Sequence, residues 1–214
     1  MKVAVIGAGN GGQAIAAFLT LSGAEVSLYD RTKEKVQELN NNDNKIELFG
    51  KLTGVAQISI ISNNICDVIT GVKIIMITTT ANAHSVIARQ IAPYLSNNQI
   101  IILNPGRTGG ALEFKQAILL NGCKKRVYIA EAQTLVYACR LICNGKVNII
   151  GIKDKVLLSA IPASDTDYVL NSINKFYPCF MPATNVLQTS LENIGAIFHP
   201  CVLKHPIRIL RLFD

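Results

Sequence analysis

The stretch from Lys2 to Asp30 constrains this chain more than any other. Lys2-Val-Ala-Val-Ile6 is a short apolar run, as a central parallel strand covered by helices on both faces must be. Gly7-Ala-Gly9-Asn10-Gly11-Gly12 follows at once. Ile15, Phe18 and Leu19 then recur at helical spacing, Gly23 is placed to close the helix, and Val26-Ser-Leu-Tyr29 forms a second apolar run ending in Asp30. The residue types fit a dinucleotide. Gly7 permits a tight exit from the strand, Gly9 lets backbone approach a pyrophosphate, and Gly12 lets the helix lie close to the sheet. The helix N-terminus, where Asn10 and Gly11 stand, offers free N–H groups to the phosphates. A carboxylate at Asp30 accepts hydrogen bonds from ribose hydroxyls and repels a 2′-phosphate, which favours NAD over NADP. Arg31 beside it would pair with a 2′-phosphate only if Asp30 turned away. A glycine-rich turn alone says little; strand, turn, helix, strand and acid in that order say much more.

The remaining chain alternates strand and helix patterns to about residue 176. Lys33 to Leu39 reads as a helix, Ile46 to Ser62 as short strands with turns at Gly50 and Gly54, and Asp67 to Thr70 as a helical turn. Lys73-Ile-Ile-Met-Ile77 is a buried strand, and Thr78-Thr-Thr-Ala-Asn-Ala-His84 leads from it into a helix carrying Ile87, Ile91 and Leu95. Gln99 to Leu103 is the next strand, and Asn104-Pro-Gly-Arg-Thr-Gly-Gly110 a second glycine-rich loop before a helix from Ala111 to Leu120. Ligands collect at the carboxyl edge of such a sheet, so Thr78 and Asn104 are candidate cofactor contacts; for Asn104 and Arg107 a plain turn serves equally well. Val127-Tyr-Ile-Ala130 and Lys146 to Ile152 read as the last strands, and Asp165 to Phe176 as a helix. The fold class expected is α/β, a Rossmann-type doubly wound, mainly parallel sheet over residues 1–176. Residues 177–184, with Pro178 and Pro182, read as a linker, and 185–214 as the beginning of a helical substrate domain. Leu187, Leu191, Ile194 and Phe198 form its apolar stripe, and Gln188, Glu192, Gly195 and His199 a neighbouring face.

Composition narrows the partners. Lys and Arg outnumber Asp and Glu by 21 to 14, but aromatics are only 6% and the basic residues form no stripe beyond Lys124-Lys-Arg126, so no nucleic-acid partner is expected. An anionic cofactor, an acidic substrate or simply a solvated basic surface accounts for the excess. The six cysteines show no CxxC pair, and Cys139 and Cys143 have no further ligands nearby, so no metal is expected and reduced thiols in the cytoplasm are. The N-terminal run is too interrupted by glycine, Asn10 and Gln13 for a signal peptide, and no apolar run is long enough to span a membrane.

Taken together, the glycine motif, the Thr78–His84 strand end, Asn104–Gly110, Glu131-Ala-Gln-Thr-Leu-Val-Tyr-Ala-Cys-Arg140 and Leu191-Glu-Asn-Ile-Gly-Ala-Ile-Phe-His-Pro200 resemble the opine dehydrogenases, the octopine and nopaline dehydrogenase family. The resemblance covers most of residues 1–200, and its last two motifs are the distinctive ones. It implies NAD(P)H-dependent reductive condensation of a 2-oxo acid such as pyruvate with an amino acid. It also implies a catalytic histidine, matched by His199, whose imidazole titrates near neutrality and can give or take the proton at the reacting centre. The family's aspartate partner has no counterpart here. The tail after Pro200 departs from the family, whose helical domain is much longer, and a truncated or shifted reading frame is the expectation. The uncovered stripe then predicts a homodimer through the C-terminal helix. Two alternatives stand beside this reading. One is a dinucleotide-binding remnant or sensor without catalysis. The other is a reductase like ketopantoate reductase or glycerol-3-phosphate dehydrogenase, which use a lysine, for which Lys204 is available.

Overall fold

The computed structural model of this chain describes residues 1–192, so His199, Ile194, Phe198 and Lys204 lie outside the described residues. The strands are β1 (Lys2–Ile6), β2 (Glu25–Tyr29), β3 (Lys45–Gly50), β4 (Gly54–Gln57), β5 (Ile60–Ser62), β6 (Ile74–Ile77), β7 (Ile100–Leu103), β8 (Tyr128–Ala132), β9 (Tyr137–Cys143), β10 (Lys146–Ile152), β11 (Val156–Ile161) and β12 (Phe180–Pro182). The helices are α1 (Asn10–Leu21), α2 (Lys33–Asn41), α3 (Ile65–Ile69), α4 (His84–Ile91), α5 (Gly110–Leu120), α6 (Thr166–Ile173) and α7 (Val186–Leu191).

The main sheet runs β12-β11-β8-β7-β6-β1-β2-β5, and the six strands from β8 to β5 are mutually parallel. The chain leaves β1 toward β2 on one side and returns to β6 on the other. The carboxyl ends of β1 and β6 therefore flank a topological switch point, the place where an open α/β sheet leaves a crevice. Period-two alternation divides β1 between the two faces: Val3 and Val5 join one apolar core with α1 and α6, while Ala4 and Ile6 join the other with α3, α4 and α5. Each of these fully buried larger side chains contributes about 1.5–3 kcal/mol of hydrophobic stabilisation.

Helix α1 buries Gly12, Gln13, Ala14, Ile15, Ala16, Ala17 and Leu19, more than the single stripe of a surface helix. The cause is a second sheet, β4-β3-β10-β9, packed on its far side. Small residues along α1 let it lie between two sheets.

Three features differ from the sequence reading. Lys146–Ile152 is β10, and it belongs to this second sheet, paired with β3 and β9. Two strands missing from that reading are β9, which runs antiparallel to β10, and β11, which runs antiparallel to β8. Residues 177–184, expected as a linker, contain β12, which pairs in parallel with β11 at the sheet edge. Proline is tolerated there because Pro182 ends the strand on an edge, where a missing N–H costs little. Among the described residues no helix is long and apolar enough to cross a membrane.

Candidate dinucleotide-binding site

The glycine loop is built by steric necessity at two positions. Gly7 has φ +107°, a conformation that L side chains rarely adopt, and its N–H donates to the Tyr29 carbonyl at 2.8 Å. At Gly12 a Cβ would stand 1.6 Å from the Gly7 carbonyl oxygen and 2.7 Å from Thr78 Oγ1, so helix and loop touch backbone to backbone. Gly9 is the opposite case: a Cβ there would meet nothing within 4 Å. It precedes an α1 N-terminus with no side-chain cap and no acid in its first turn. Open space above uncapped N–H groups is what a pyrophosphate requires, and these residues fit one.

Asn10 and Gly11 are engaged on the side. Asn10 Oδ1 accepts from Leu141 N at 3.1 Å, and Gly11 faces Leu135. Gln13, wholly buried, was legible only as a break in an apolar run. It donates to the Ala8 carbonyl at 3.0 Å and accepts from Gly145 N at 2.9 Å, tying the β9–β10 turn to the glycine loop.

Asp30, at the end of β2, faces the same loop. One carboxylate oxygen accepts from Ala8 N at 2.8 Å and pairs with the Lys35 ammonium at 3.2 Å; the other accepts from Thr32 N at 3.0 Å. Burial alone would raise this carboxyl, but the Thr32 and Ala8 N–H groups and the Lys35 charge outweigh it and hold it below the ordinary carboxylate range. Asp30 is thus an oriented anion beside Gly9. Arg31 is exposed, and Lys35 is the cation that Asp30 pairs with.

The ends of β6 and β7 complete the edge. Thr78 Oγ1 lies 2.9 Å from the Ile6 carbonyl and 2.8 Å from that of Gly7, so its hydroxyl supports the loop from beneath. Asn104 is buried; its amide donates to the Ile102 carbonyl at 2.9 Å, while its Oδ1 has no partner. His84 is fully buried against Gly110, and neither ring nitrogen makes a hydrogen bond of good geometry, although the Thr79 backbone lies close enough to favour the charged form. Burial pushes its imidazole below the ordinary 6.5, against the pull of Glu113. A depressed histidine is neutral in both states above that value and protonates first in the unfolded chain, so stability is lost as pH falls through and below it. Denaturant titrations from pH 7.5 to 5 are expected to show this, with a slope of at most about 1.4 kcal/mol per pH unit from one site, and His84→Leu is expected to flatten it.

The helix start behind the second glycine-rich loop already has a carboxylate of the chain's own. Glu131, buried at the end of β8, accepts from Ala111 N at the start of α5 at 2.8 Å and from the hydroxyls of Thr189 and Ser190 on α7, each at 2.7 Å. Ser190 Oγ in turn accepts from Gly109 N at 3.1 Å. Burial raises the Glu131 carboxyl above the usual carboxylate range, and these donors draw it back only in part. The chain's own carboxylate therefore takes an N–H at the α5 terminus, whereas the α1 terminus has no side-chain cap. Among the described residues no cluster of three metal-ligating side chains occurs.

Over residues 2–125, more than half of the chain, the sequence matches the family described as NAD-dependent glycerol-3-phosphate dehydrogenase N-terminus. It is 36% identical over 197 residues to an opine dehydrogenase of Arthrobacter sp. (strain 1C), covering 92% of this chain and 55% of that protein. It is 26% identical over 226 residues to the octopine dehydrogenase of Mizuhopecten yessoensis, covering 95% of this chain and 54% of the relative. The chain spans about half the length of the curated relatives it matches. An octopine dehydrogenase structure with NADH and L-arginine superposes with a TM-score of 0.81 at 21% identity, over 95% of this chain and 53% of that one, which shows a shared fold. The open glycine loop, the acid beside it and these matches agree: the chain belongs to the NAD-dependent glycerol-3-phosphate dehydrogenase N-terminus family, in an opine-dehydrogenase-like form whose cofactor is NAD.

Proposed function

We propose that this chain is the cofactor-binding half of an opine-type dehydrogenase, which reductively condenses a 2-oxo acid with the amino group of an amino acid. The observation that carries the reading is the unobstructed approach over Gly9 to the uncapped α1 N-terminus, with Asp30 fixed beside it. The α1 N–H groups receive the pyrophosphate, Asp30 accepts from the adenosine ribose, and Thr78 keeps the loop in shape from below. Asn104, at the end of β7, stands where the nicotinamide side of the cleft is expected. When bound, NADH supplies the hydride for the reduction. His199 is proposed to carry the proton to and from the reacting centre, on the strength of the family motif it sits in. Unpaired thiols at the five described cysteines support a cytoplasmic setting. Leu187 and Leu191, 56% and 67% exposed on α7, support a homodimer through the C-terminal helix, against which a monomer by sedimentation at high concentration would count.

NADH consumption by the purified chain, given pyruvate and a mixture of amino acids, tests the reaction, with NADH and NADPH binding titrated alongside. Turnover supports the opine-type reading. Tight NADH binding without turnover leaves a dinucleotide-binding module, and binding of neither cofactor overturns the assignment of the glycine loop. Asp30→Asn keeps one acceptor for Ala8 or Thr32 but removes the charge that repels a 2′-phosphate. It is expected to shift the NADH to NADPH affinity ratio by about tenfold toward NADPH. An unchanged ratio would remove Asp30 from cofactor selection.

A further inference from the structure

Gln13 is a wholly buried polar side chain one turn into α1, and both ends of its amide are bonded to backbone. Its Nε2 donates to the Ala8 carbonyl at 3.0 Å, and its Oε1 accepts from Gly145 N at 2.9 Å. Gly145 closes the two-residue turn between β9 and β10 with φ +83°, and its own carbonyl accepts from Glu47 N of β3 at 2.8 Å. The second sheet thus fixes the turn on one side while Gln13 takes its other side. A neighbouring contact repeats the pattern: Leu141 N of β9 donates to Asn10 Oδ1 at 3.1 Å, also in the first turn of α1.

The consequence falls on the peptide that joins Ala8 to Gly9. A trans peptide is planar, and its C=O and N–H point to opposite sides. Gln13 holds the Ala8 carbonyl on the protein side, and among the described residues no other donor reaches that oxygen, so the Gly9 N–H is turned away from Gln13. That N–H has no partner among the described residues, and a Cβ at Gly9 would meet nothing within 4 Å. The Ala8 N–H, which Asp30 holds at 2.8 Å, belongs to the preceding peptide unit and is fixed separately.

We propose that Gln13 is a positioning residue for the cofactor's pyrophosphate: it carries the fixed geometry of the β9–β10 turn to the Ala8–Gly9 peptide and so aims the Gly9 N–H at the open side of the loop. The inference rests on the cofactor reading above and adds to it a role for the second sheet. A buried amide is tolerated only where its polar ends are satisfied, and here each end grips a different segment of backbone. A donor aimed in advance pays less to be ordered when the phosphate arrives.

The test is calorimetric titration of NADH and of NADPH into the full chain, wild type and Gln13→Met. Methionine keeps a similar volume without the polar ends. Both cofactors are expected to bind at least about tenfold more weakly, with their affinity ratio within about twofold of wild type, because Asp30 keeps its own partners. Ile15→Ala, in the apolar core two residues further along α1, is the stability control: its melting temperature is expected to fall at least as far, with NADH affinity within about twofold. In a Gly9→Ala background, Gln13→Met is expected to weaken NADH less than about threefold further, since both changes strike the same contact. Unchanged NADH affinity in Gln13→Met overturns the proposal, as do an equal loss in Ile15→Ala and losses at Gly9 and Gln13 that multiply. A shifted cofactor ratio overturns it too, because Gln13 would then act on the Asp30 side. If Gln13→Met does not fold, amide exchange in the wild type decides: NADH is expected to slow Gly145 N at least about tenfold more than Val156 N of β11, and equal slowing overturns the proposal. Failure of the wild type to bind NADH overturns the cofactor reading itself, and this role with it.

Discussion

Gly12→Ala is expected to abolish measurable NADH binding and to destabilise the chain by about 3 kcal/mol or more, at or beyond the upper end of ordinary overpacking. The new methyl would lie 1.6 Å from the Gly7 carbonyl oxygen, which is backbone and cannot rotate away as a side chain would. Relief requires lifting α1 off the loop, yet α1 is held from its other side by the second sheet, so the strain spreads into both cores. Against a typical domain stability of about 5–15 kcal/mol this is a large fraction. Gly9→Ala is the control that separates folding from binding. Its backbone, φ −79° and ψ −168°, suits any residue, and its Cβ would meet nothing. Stability within about 0.5 kcal/mol of wild type is expected, with NADH affinity lowered at least about tenfold because the methyl occupies the pyrophosphate's approach. Thermal unfolding and NADH titration on both variants check this. Equal effects at the two glycines would mean that the loop is merely structural.

The contrast between these glycines marks how far the sequence could be read. The β1–loop–α1–β2–Asp30 unit was legible because each residue obeys a local rule: buried strands are apolar throughout, and tight turns and close approaches demand glycine. That the last glycine packs helix against loop was also legible from the order of the motif, and a Cβ at Gly12 would indeed meet the Gly7 carbonyl. The partners of strands were not. Lys146–Ile152 has a strand pattern, but nothing in its alternation says that it joins β3 and β9 across α1 instead of extending the main sheet. Val156–Ile161 and Phe180–Pro182 escaped notice for a related reason: one runs antiparallel outside the expected alternation, and the other hides in a proline-rich stretch. Polar side chains turned inward were least legible. Gln13 and Thr78 spend their hydrogen bonds on the loop backbone, and Glu131 draws two of its partners from residues 58 and 59 positions away. Glu131 entered the sequence reading only as the first residue of a motif, and only the fold shows what surrounds it.

Glu131 accordingly carries the other large expectation. Glu131→Ala removes the common acceptor of Ala111 N, Thr189 and Ser190. The two hydroxyls can turn to other acceptors; Thr189 Oγ1 already lies 3.0 Å from the Val186 carbonyl. The Ala111 N–H cannot turn, and a buried donor left unpaired costs about 1–3 kcal/mol. Loss of the side chain's packing brings the expected total to about 3–5 kcal/mol, or roughly 10 °C in melting temperature for a chain of this length. Glu131→Gln is expected to cost only about 1 kcal/mol, because the amide oxygen can still accept from Ala111 N while its NH2 donates to the hydroxyl oxygens. The pH dependence separates the two roles of the carboxyl. Its folded value is raised above the ordinary 4.5, so its contribution is fully present in acid and is lost as pH rises from there through the folded value, opposite in sign to His84. The glutamine variant is expected to lose that feature while keeping the fold. Hydrogen exchange at Val186–Leu191 reports on the tether directly: faster exchange in Glu131→Ala but not in Glu131→Gln is expected if this side chain fastens α7 to the dinucleotide-binding sheet. Equal protection in all three proteins would leave α7 held by its apolar contacts alone.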